Sequence, residues 1–144
     1  MKSLIIWVPV AVMVWFGVSC HDVTVGYLLT EDASYNPDSL VIKSESSLDE
    51  VGEDYIRVKS GQPWVGTSIE GIEGTAPIIV SIKNITSEEG NPEKLREVLS
   101  VRGNGVLEIP LQHDVPVGRY VVSLNFKNEG YSRDVDNCFT IIVK

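Results

Sequence analysis

The sequence is poor in the residues that build most catalytic and metal sites. It contains two cysteines and two histidines in 144 residues, and neither histidine has a Cys or His partner at metal-ligand spacing. His21 and His113 are therefore expected to be exposed polar side chains. The Gly-x-Ser-x-Gly motif and the phosphate-binding glycine loops are also missing. We predict no catalytic residue, no metal and no cofactor, so the chain is not expected to be an enzyme.

An apolar run long enough to span a bilayer is missing as well. Residues 4–18 form a stretch of 15 uncharged residues after the positive start Met1-Lys2. A spanning helix needs about 20 such residues. A positive start, a short apolar stretch and small residues before a cut site are typical of a secretory signal peptide. We predict that residues 1–19 are this signal and that residues 20–144 form the mature chain.

The residues at the end of this stretch, Gly17-Val18-Ser19-Cys20, resemble the lipobox of bacterial lipoproteins. In that motif the Cys thiol receives a diacylglycerol and becomes the new N-terminus. The resemblance implies that Cys20 is lipidated. Gly17 departs from the Leu of the enterobacterial pattern, and looser versions are common in Bacteroidota. Cys138 then has no partner, which excludes a disulfide framework, and we expect it to act as a small buried hydrophobe.

Basic residues are scarce relative to acids. Lys2 is the only charged residue in the predicted signal, so its removal leaves 11 basic and 20 acidic side chains and a net charge of −9. This charge argues against nucleic acid, and against adsorption to anionic lipid, as the main activity.

Alternation of apolar and polar residues runs through most of the mature chain and predicts a mainly β domain with a short N-terminal tether. Strands are expected at 39–43, 55–59, 64–72, 77–85, 106–109, 119–127 and 138–143, and residues 23–29 are either a first strand or a tether that turns into one. Turns are expected at 73–74 and 128–130, and a polar loop at 44–53. About seven short strands at this spacing indicate an all-β, immunoglobulin-like β-sandwich.

One short helix is expected near residues 92–99. Asn91 is a suitable N-cap, Pro92 suits the first helical position, and Glu93 places an acid in the first turn.

A structural motif precedes the longest predicted strand. Gly118 comes two residues before Tyr120, which resembles the tyrosine corner of immunoglobulin-like domains. In that corner the Tyr hydroxyl bonds back to upstream backbone. We therefore expect Tyr120 to face the core with the apolar residues of its strand and of the last strand. These residues are Val122, Leu124, Phe126, Phe139, Ile141 and Val143.

Ligand-binding candidates are aromatic, because flat rings pack on the apolar faces of sugars. Trp64 follows Gly61-Gln62-Pro63 and is either a sugar-contacting ring or the core tryptophan of the sandwich. Tyr131 follows the 128–130 turn and either contacts sugar or packs over the sheet edge. Tyr27, Tyr35 and Tyr55 are further candidates at loops or strand ends. Asp134, Asp136 and Asn137, with Glu129 nearby, form either a weak calcium site or an acidic loop.

Several stretches resemble small Bacteroidota lipoproteins that accompany outer-membrane glycan-import systems of the SusC/SusD type. The matching stretches are residues 25–29, 33–40, 69–78, 116–120 and 128–132. They mark turns and strand starts, so the resemblance implies an architecture, a cadherin- or immunoglobulin-like sandwich, more than an activity. It also implies an outer-membrane location with glycan or an import component as partner.

Two further features follow from this resemblance. Asp38-Ser39-Leu40 fits the acceptor pattern for O-glycosylation in Bacteroidota, so Ser39 is either glycosylated or an ordinary strand start. His21-Asp22 supplies one acid after Cys20, where surface-exported lipoproteins of this group carry several. The sequence therefore leaves open whether the domain faces the medium or the periplasm.

Two hypotheses of different class emerge. The first is a non-catalytic, membrane-anchored binding or accessory module for glycan capture or an import complex. The second is a structural or adhesive component of a surface fibre assembled by strand addition.

The anchor gives a direct prediction. Cys20→Ala should abolish acylation and release the protein from the membrane fraction, because each buried acyl methylene contributes about 0.8 kcal/mol of membrane affinity. Fractionation and intact-mass analysis measure the two effects. An unmodified Cys20 in the native membrane-bound protein would contradict the prediction.

Overall fold

A computed structural model describes residues 26–144; the predicted signal peptide and Cys20 lie outside these residues. The described chain folds into eleven strands and two α-helices. The strands are β1 (Leu28–Leu29), β2 (Ser34–Tyr35), β3 (Ser39–Ile42), β4 (Trp64–Val65), β5 (Ile69–Glu70), β6 (Glu73–Gly74), β7 (Ile79–Ser87), β8 (Ser100–Val101), β9 (Leu107–Ile109), β10 (Gly118–Asn128) and β11 (Tyr131–Val143). The helices are α1 (Tyr55–Ser60) and α2 (Pro92–Val98), and Glu45–Ser47 forms a 3-10 turn.

Two main sheets make up the body of the domain. The larger has the order β3-β11-β10-β7, in which β3 runs parallel to β11 and the other neighbours are antiparallel. The smaller has the order β4-β9-β8 and is antiparallel. Strands β1–β6 and β2–β5 form two short additional ladders. The two main sheets together hold seven strands and contribute to one hydrophobic core, which confirms the predicted all-β sandwich.

Strands β10 and β11 supply the centre of this core. Successive side chains of a strand point to opposite faces, so every second residue faces the smaller sheet. The inward residues of the two strands are Tyr120, Val122, Leu124, Phe126, Phe139, Ile141 and Val143, each at most 1 % exposed. Leu107 and Ile109 of β9 are fully buried in the same cluster. The predicted core face is confirmed.

Tyr120 joins β10 to the region around α2. Its hydroxyl donates to the Pro116 carbonyl at 2.7 Å and accepts from the Asn91 N–H at 3.2 Å. The Asn91 side chain in turn caps α2 by accepting from the N–H groups of Glu93 at 3.1 Å and Lys94 at 3.4 Å. The backward bond from Tyr120 and the helix start at Pro92 are thus confirmed, and one hydroxyl couples them.

Two β-bulges meet at Ser123 of β10. The register shifts next to this residue on the β11 side and on the β7 side. Ser123 Oγ accepts from the Asn137 N–H at 2.8 Å, and Asn137 adopts a positive φ of 50°. Lys83 Nζ lies 3.1 Å from Asp134 and 2.8 Å from Asp136. The two acids weighed as a calcium site therefore hold a lysine ammonium.

The prediction of a strand at 55–59 is wrong, because this segment is helix α1. Five alternating residues are too few to distinguish a strand from a helical turn. Gly61 ends the helix with a φ of 63°, the left-handed conformation typical of a helix C-terminus. Lys59 Nζ reaches the Tyr55 hydroxyl at 3.2 Å, a contact between residues four apart. The single predicted helix near 92–99 is therefore joined by a second.

The region 64–74 also differs from the prediction. The expected strand at 64–72 is divided into β4, which pairs with β9, and β5, which pairs with β2. Between them the Gly66 N–H bonds to the Leu107 carbonyl at 2.8 Å, and the Ile69 N–H bonds to the Asn104 carbonyl at 3.2 Å. Residues 73–74, expected to be a turn, form β6 and pair with β1.

The corner hydroxyl gives a stability prediction. Tyr120→Phe should lower the free energy of unfolding by about 1–3 kcal/mol, because the Pro116 carbonyl and the Asn91 N–H lose their partner. Denaturant titration measures the change. The matched control is Tyr27→Phe at an exposed tyrosine, which should stay within about 0.5 kcal/mol of the parent. Equal stability of the Tyr120 variant and the parent would contradict the prediction.

Candidate functional site

The β10–β11 pair runs along the sandwich and defines two poles. Strand β10 has 11 residues, which corresponds to about 35 Å. At one end the described chain enters: the Tyr27 carbonyl accepts from the Asn128 side chain at 2.8 Å and from the Thr75 N–H at 3.0 Å. We call this the entry pole. At the other end the Ser44 N–H donates to the Lys144 carbonyl at 2.7 Å, and the chain continues into α1. We call this the groove pole.

The groove pole contains an open groove of about 720 Å³. It lies between the 45–50 loop, helix α1 and the segment that follows β9. The lining residues are Glu45, Leu48, Glu50, Val58, Gly61, Pro110, Leu111 and Gln112. Apolar walls with a few polar groups are typical of small-ligand sites. We call this site the α1 groove.

A partly buried ion pair holds one wall of the α1 groove in place. Lys43 Nζ donates to Asp54 Oδ2 at 2.7 Å, and the Asp49 N–H donates to the same oxygen at 3.0 Å. The ammonium and the amide together lower the pKa of Asp54, with the Lys43 hydrogen bond as the larger cause. Asp54 is the residue before α1, so this contact fixes the helix to the end of β3.

His113 supports the same connection, and its expected exposure is wrong. The ring is buried, its Nε2 lies 3.1 Å from the Lys43 carbonyl, and its Nδ1 accepts from the Val115 N–H at 3.3 Å. A neutral ring with its hydrogen on Nε2 satisfies both contacts. The imidazole thus links two loops through their backbones.

Trp64 is placed in the core rather than on the surface. Its side chain is 7 % exposed, and the Arg57 guanidinium lies 4.2 Å from the ring centroid. Arg57 is itself held by the Pro63 carbonyl at 2.7 Å. The indole Nε1 has no hydrogen-bond partner among the described residues. Trp64 therefore fits its alternative reading as the core tryptophan and does not present the exposed ring that sugar stacking requires.

Tyr131 lies at the entry pole, so it cannot share a site with Trp64 near the groove pole. It is half-buried, and the Arg133 guanidinium is 5.6 Å from its ring centroid. Ser39 is the half-buried first residue of β3, beside Thr140 of β11.

Cys138 is a partly buried free thiol that packs against the core. Its Sγ donates to the Val122 carbonyl at 3.5 Å. Burial raises the pKa of this thiol to about 11, so it remains protonated and a weak nucleophile at neutral pH.

Among the tyrosines that the sequence offered as candidates, the structure draws attention to Tyr55, which lies on helix α1 rather than on the expected strand. Tyr55 is 45 % exposed and precedes Val58, a lining residue of the α1 groove, by about one helical turn; Tyr55 itself does not line the groove. Lys59 Nζ is 5.4 Å from its ring centroid. Gly61 is the sequence signal that could have placed Tyr55 on a helix, because a glycine soon after the 55–59 run is typical of a helix C-terminus.

Two smaller grooves lie elsewhere in residues 26–144. One, of about 560 Å³, borders residues 86–89 and Arg119, and one of about 210 Å³ is lined by apolar residues that include Ile69, Ile72 and Ile78, together with Gly103 and Asn104. Within this part of the chain no cluster of three or more His, Cys, Asp or Glu residues is arranged to hold a metal. Neither helix described between residues 26 and 144 has the length and apolar content needed to cross a bilayer.

No protein-family model and no curated protein sequence matches the chain. The fold is similar to that of a SusE-like, surface-located polysaccharide-binding protein from the heparin utilisation locus of Bacteroides thetaiotaomicron. The TM-score is 0.51 and the sequence identity is 16 %. The alignment covers 83 % of this chain and 15 % of that protein, so the chain corresponds to one part of a much longer molecule. At this identity the similarity concerns the fold alone.

The Asp54 contact gives a pH prediction. The folded pKa of Asp54 lies below its unfolded value of about 3.9, so its contribution to stability is complete above about pH 5 and is lost as the pH falls through the folded pKa. The stability difference between the parent and Asp54→Asn should therefore shrink on acidification. Denaturant midpoints across this range measure it. A difference that does not change with pH would contradict the prediction.

Proposed function

We propose that this protein is a non-catalytic, membrane-anchored accessory module that binds glycan in the α1 groove. The observation that carries the proposal is the position of the groove: it lies at the pole opposite the one where the chain enters at Gly26. An anchor at Cys20 would hold the entry pole near the outer membrane and leave the groove facing away. The fold shared with a polysaccharide-binding protein supports the same class of function.

The groove has the groups that sugar binding uses. Leu48, Val58 and Leu111 provide apolar walls, and Tyr55 adds a partly exposed ring at the side. A ring of this kind stacks on the apolar face of a pyranose. The Gln112 amide can both donate to and accept from sugar hydroxyls. Binding of this kind needs neither a nucleophile nor a metal.

The charge of the groove favours an uncharged glycan. Glu45 and Glu50 line it, and none of its eight lining residues is basic. The nearby cations are already engaged, because Lys43 pairs with Asp54, Arg57 bonds to backbone over the Trp64 ring, and Lys59 donates to the Tyr55 hydroxyl. Sulfated or uronic glycans would bring like charge to the carboxylates and lose affinity. We therefore propose a neutral polysaccharide as the ligand.

The cellular setting remains part of the proposal. Lipidation at Cys20, a SusC/SusD-type import component as neighbour and glycosylation of Ser39 are predictions of the sequence. The surface location of the structurally similar protein supports an orientation toward the medium.

The fibre alternative would use a strand edge such as that of β7, one of the two outer strands of the larger sheet. This edge is partly protected. Arg96 of α2 donates to the Lys83 carbonyl at 3.3 Å, and charged residues on an edge strand discourage pairing with another chain. We therefore place strand addition second to glycan binding.

The decisive experiment uses fragment 21–144, which contains every described strand, on an array of backbone-matched glycans such as dextran and dextran sulfate. Tyr55→Ala should lower affinity for a bound neutral glycan by about five- to thirty-fold, because a stacked ring contributes about 1–2 kcal/mol. Tyr27→Ala, the matched control at the entry pole, should change it by less than about twofold.

Each contrary result has a separate meaning. Equal loss in both variants, or no loss in Tyr55→Ala, would remove the α1 groove as the site. Preference for the sulfated member of each pair would overturn the neutral ligand. The absence of binding to any glycan by the parent fragment would overturn the proposed function.

A further inference from the structure

Apolar side chains are exposed at the entry pole. Tyr27 is 50 % and Leu29 44 % exposed, and both point outward from β1 while Leu28 between them is buried. Ile79, the first residue of β7, is 63 % exposed. It pairs with Lys127, the neighbour of Asn128, so it lies at the same pole. Apolar side chains such as Val51 and Ile56 are exposed near α1 as well, so the feature that distinguishes this surface is its closeness to the point where the chain enters.

The length of chain beyond the described residues limits what can cover this surface. Five residues separate Cys20 from Gly26, and a fully extended chain covers about 3.5 Å per residue. Gly26 is therefore within about 20 Å of the Cys20 Cα whatever path the chain takes. This is shorter than the sandwich, whose β10 alone spans about 35 Å. A lipidated Cys20 thus keeps the entry pole, and not the groove pole, next to the bilayer.

The side chain of Asn128 connects the entering segment to the body of the sandwich. Its side-chain amide donates to the carbonyls of Tyr27 at 2.8 Å and Thr75 at 3.1 Å. It thereby ties the entering segment and the chain before β7 to the tip of the β10–β11 hairpin. A displacement of Tyr27 is therefore passed to the β10–β11 hairpin.

We propose that the entry pole is a membrane-contact surface, on which Tyr27, Leu29 and Ile79 rest in the phospholipid interface. The proposal depends on the lipidation of Cys20 and not on glycan binding. Tyrosine is a preferred side chain at the membrane interface, and apolar neighbours gain from leaving water. The acyl chains supply the affinity, so the net negative charge of the domain does not prevent the contact. Contact of the entry pole with the membrane fixes the orientation of the domain, so that the α1 groove points away from the membrane.

The test uses the lipidated full chain in vesicles of phosphatidylethanolamine and phosphatidylglycerol with brominated acyl chains. Two matched substitutions place an indole at each pole: Ile79→Trp at the entry pole and Ile56→Trp on α1, where Ile56 is 68 % exposed. Trp64 is the one tryptophan after residue 20 and gives the same background in both. The Ile79→Trp indole should be quenched at least about twofold more strongly than the Ile56→Trp indole.

A second measurement needs no substitution. Amide hydrogen exchange of the parent chain should slow at residues 26–30 and 127–131 on vesicles, relative to detergent, and stay unchanged at 55–61. Equal quenching at the two poles together with unchanged exchange would overturn the membrane contact while leaving the anchor in place. A chain that does not float with the vesicles would overturn the anchor itself, and with it the contact.

Discussion

The architecture depends on one alternating strand. Every second residue of β10 from Tyr120 to Phe126 is buried, and this face is the surface on which β9 and its neighbours pack. β10 is also hydrogen-bonded on both sides, to β7 and β11. A strand in this position determines where both flanking strands end, and therefore where the two poles lie. The groove and the entry segment owe their separation to the length of this strand.

The sequence specified this part of the fold well, because alternation over nine residues at 119–127 matches only a strand with one buried face. The same rule explains the position of the last strand. Asn91 and Pro92 located α2, because capping depends on the chemistry of two or three local residues. Tyr120 could be assigned for a similar reason, since its role needs only a glycine and a short return to the backbone.

Alternation failed where a segment was too short or was stabilised from elsewhere. Tyr55 to Lys59 has a strand-like pattern, but the segment is fixed from outside by Lys43 and from its end by Gly61. His113 looked exposed because a histidine in a turn gives no sign of the backbone groups that will surround it. Trp64 was ambiguous from sequence. The guanidinium that covers its ring belongs to Arg57 of α1, a segment whose pattern predicted a strand. The α1 groove is built from three separate segments, so no local pattern could reveal it.

The paired bulges at Ser123 specify the strand register, which hydrophobic alternation alone cannot do. A slip of one residue between β10 and a neighbour would turn every buried side chain toward water, and alternation forbids it. A slip of two residues would keep each side chain on its proper face, and alternation alone does not distinguish it from the native pairing. The bulges are placed at one point on both sides of β10, where Asn137 bonds to Ser123 and Lys83 meets two carboxylates. A two-residue slip would separate these partners on either side. The bulges therefore fix the register in which β10 pairs with both β7 and β11.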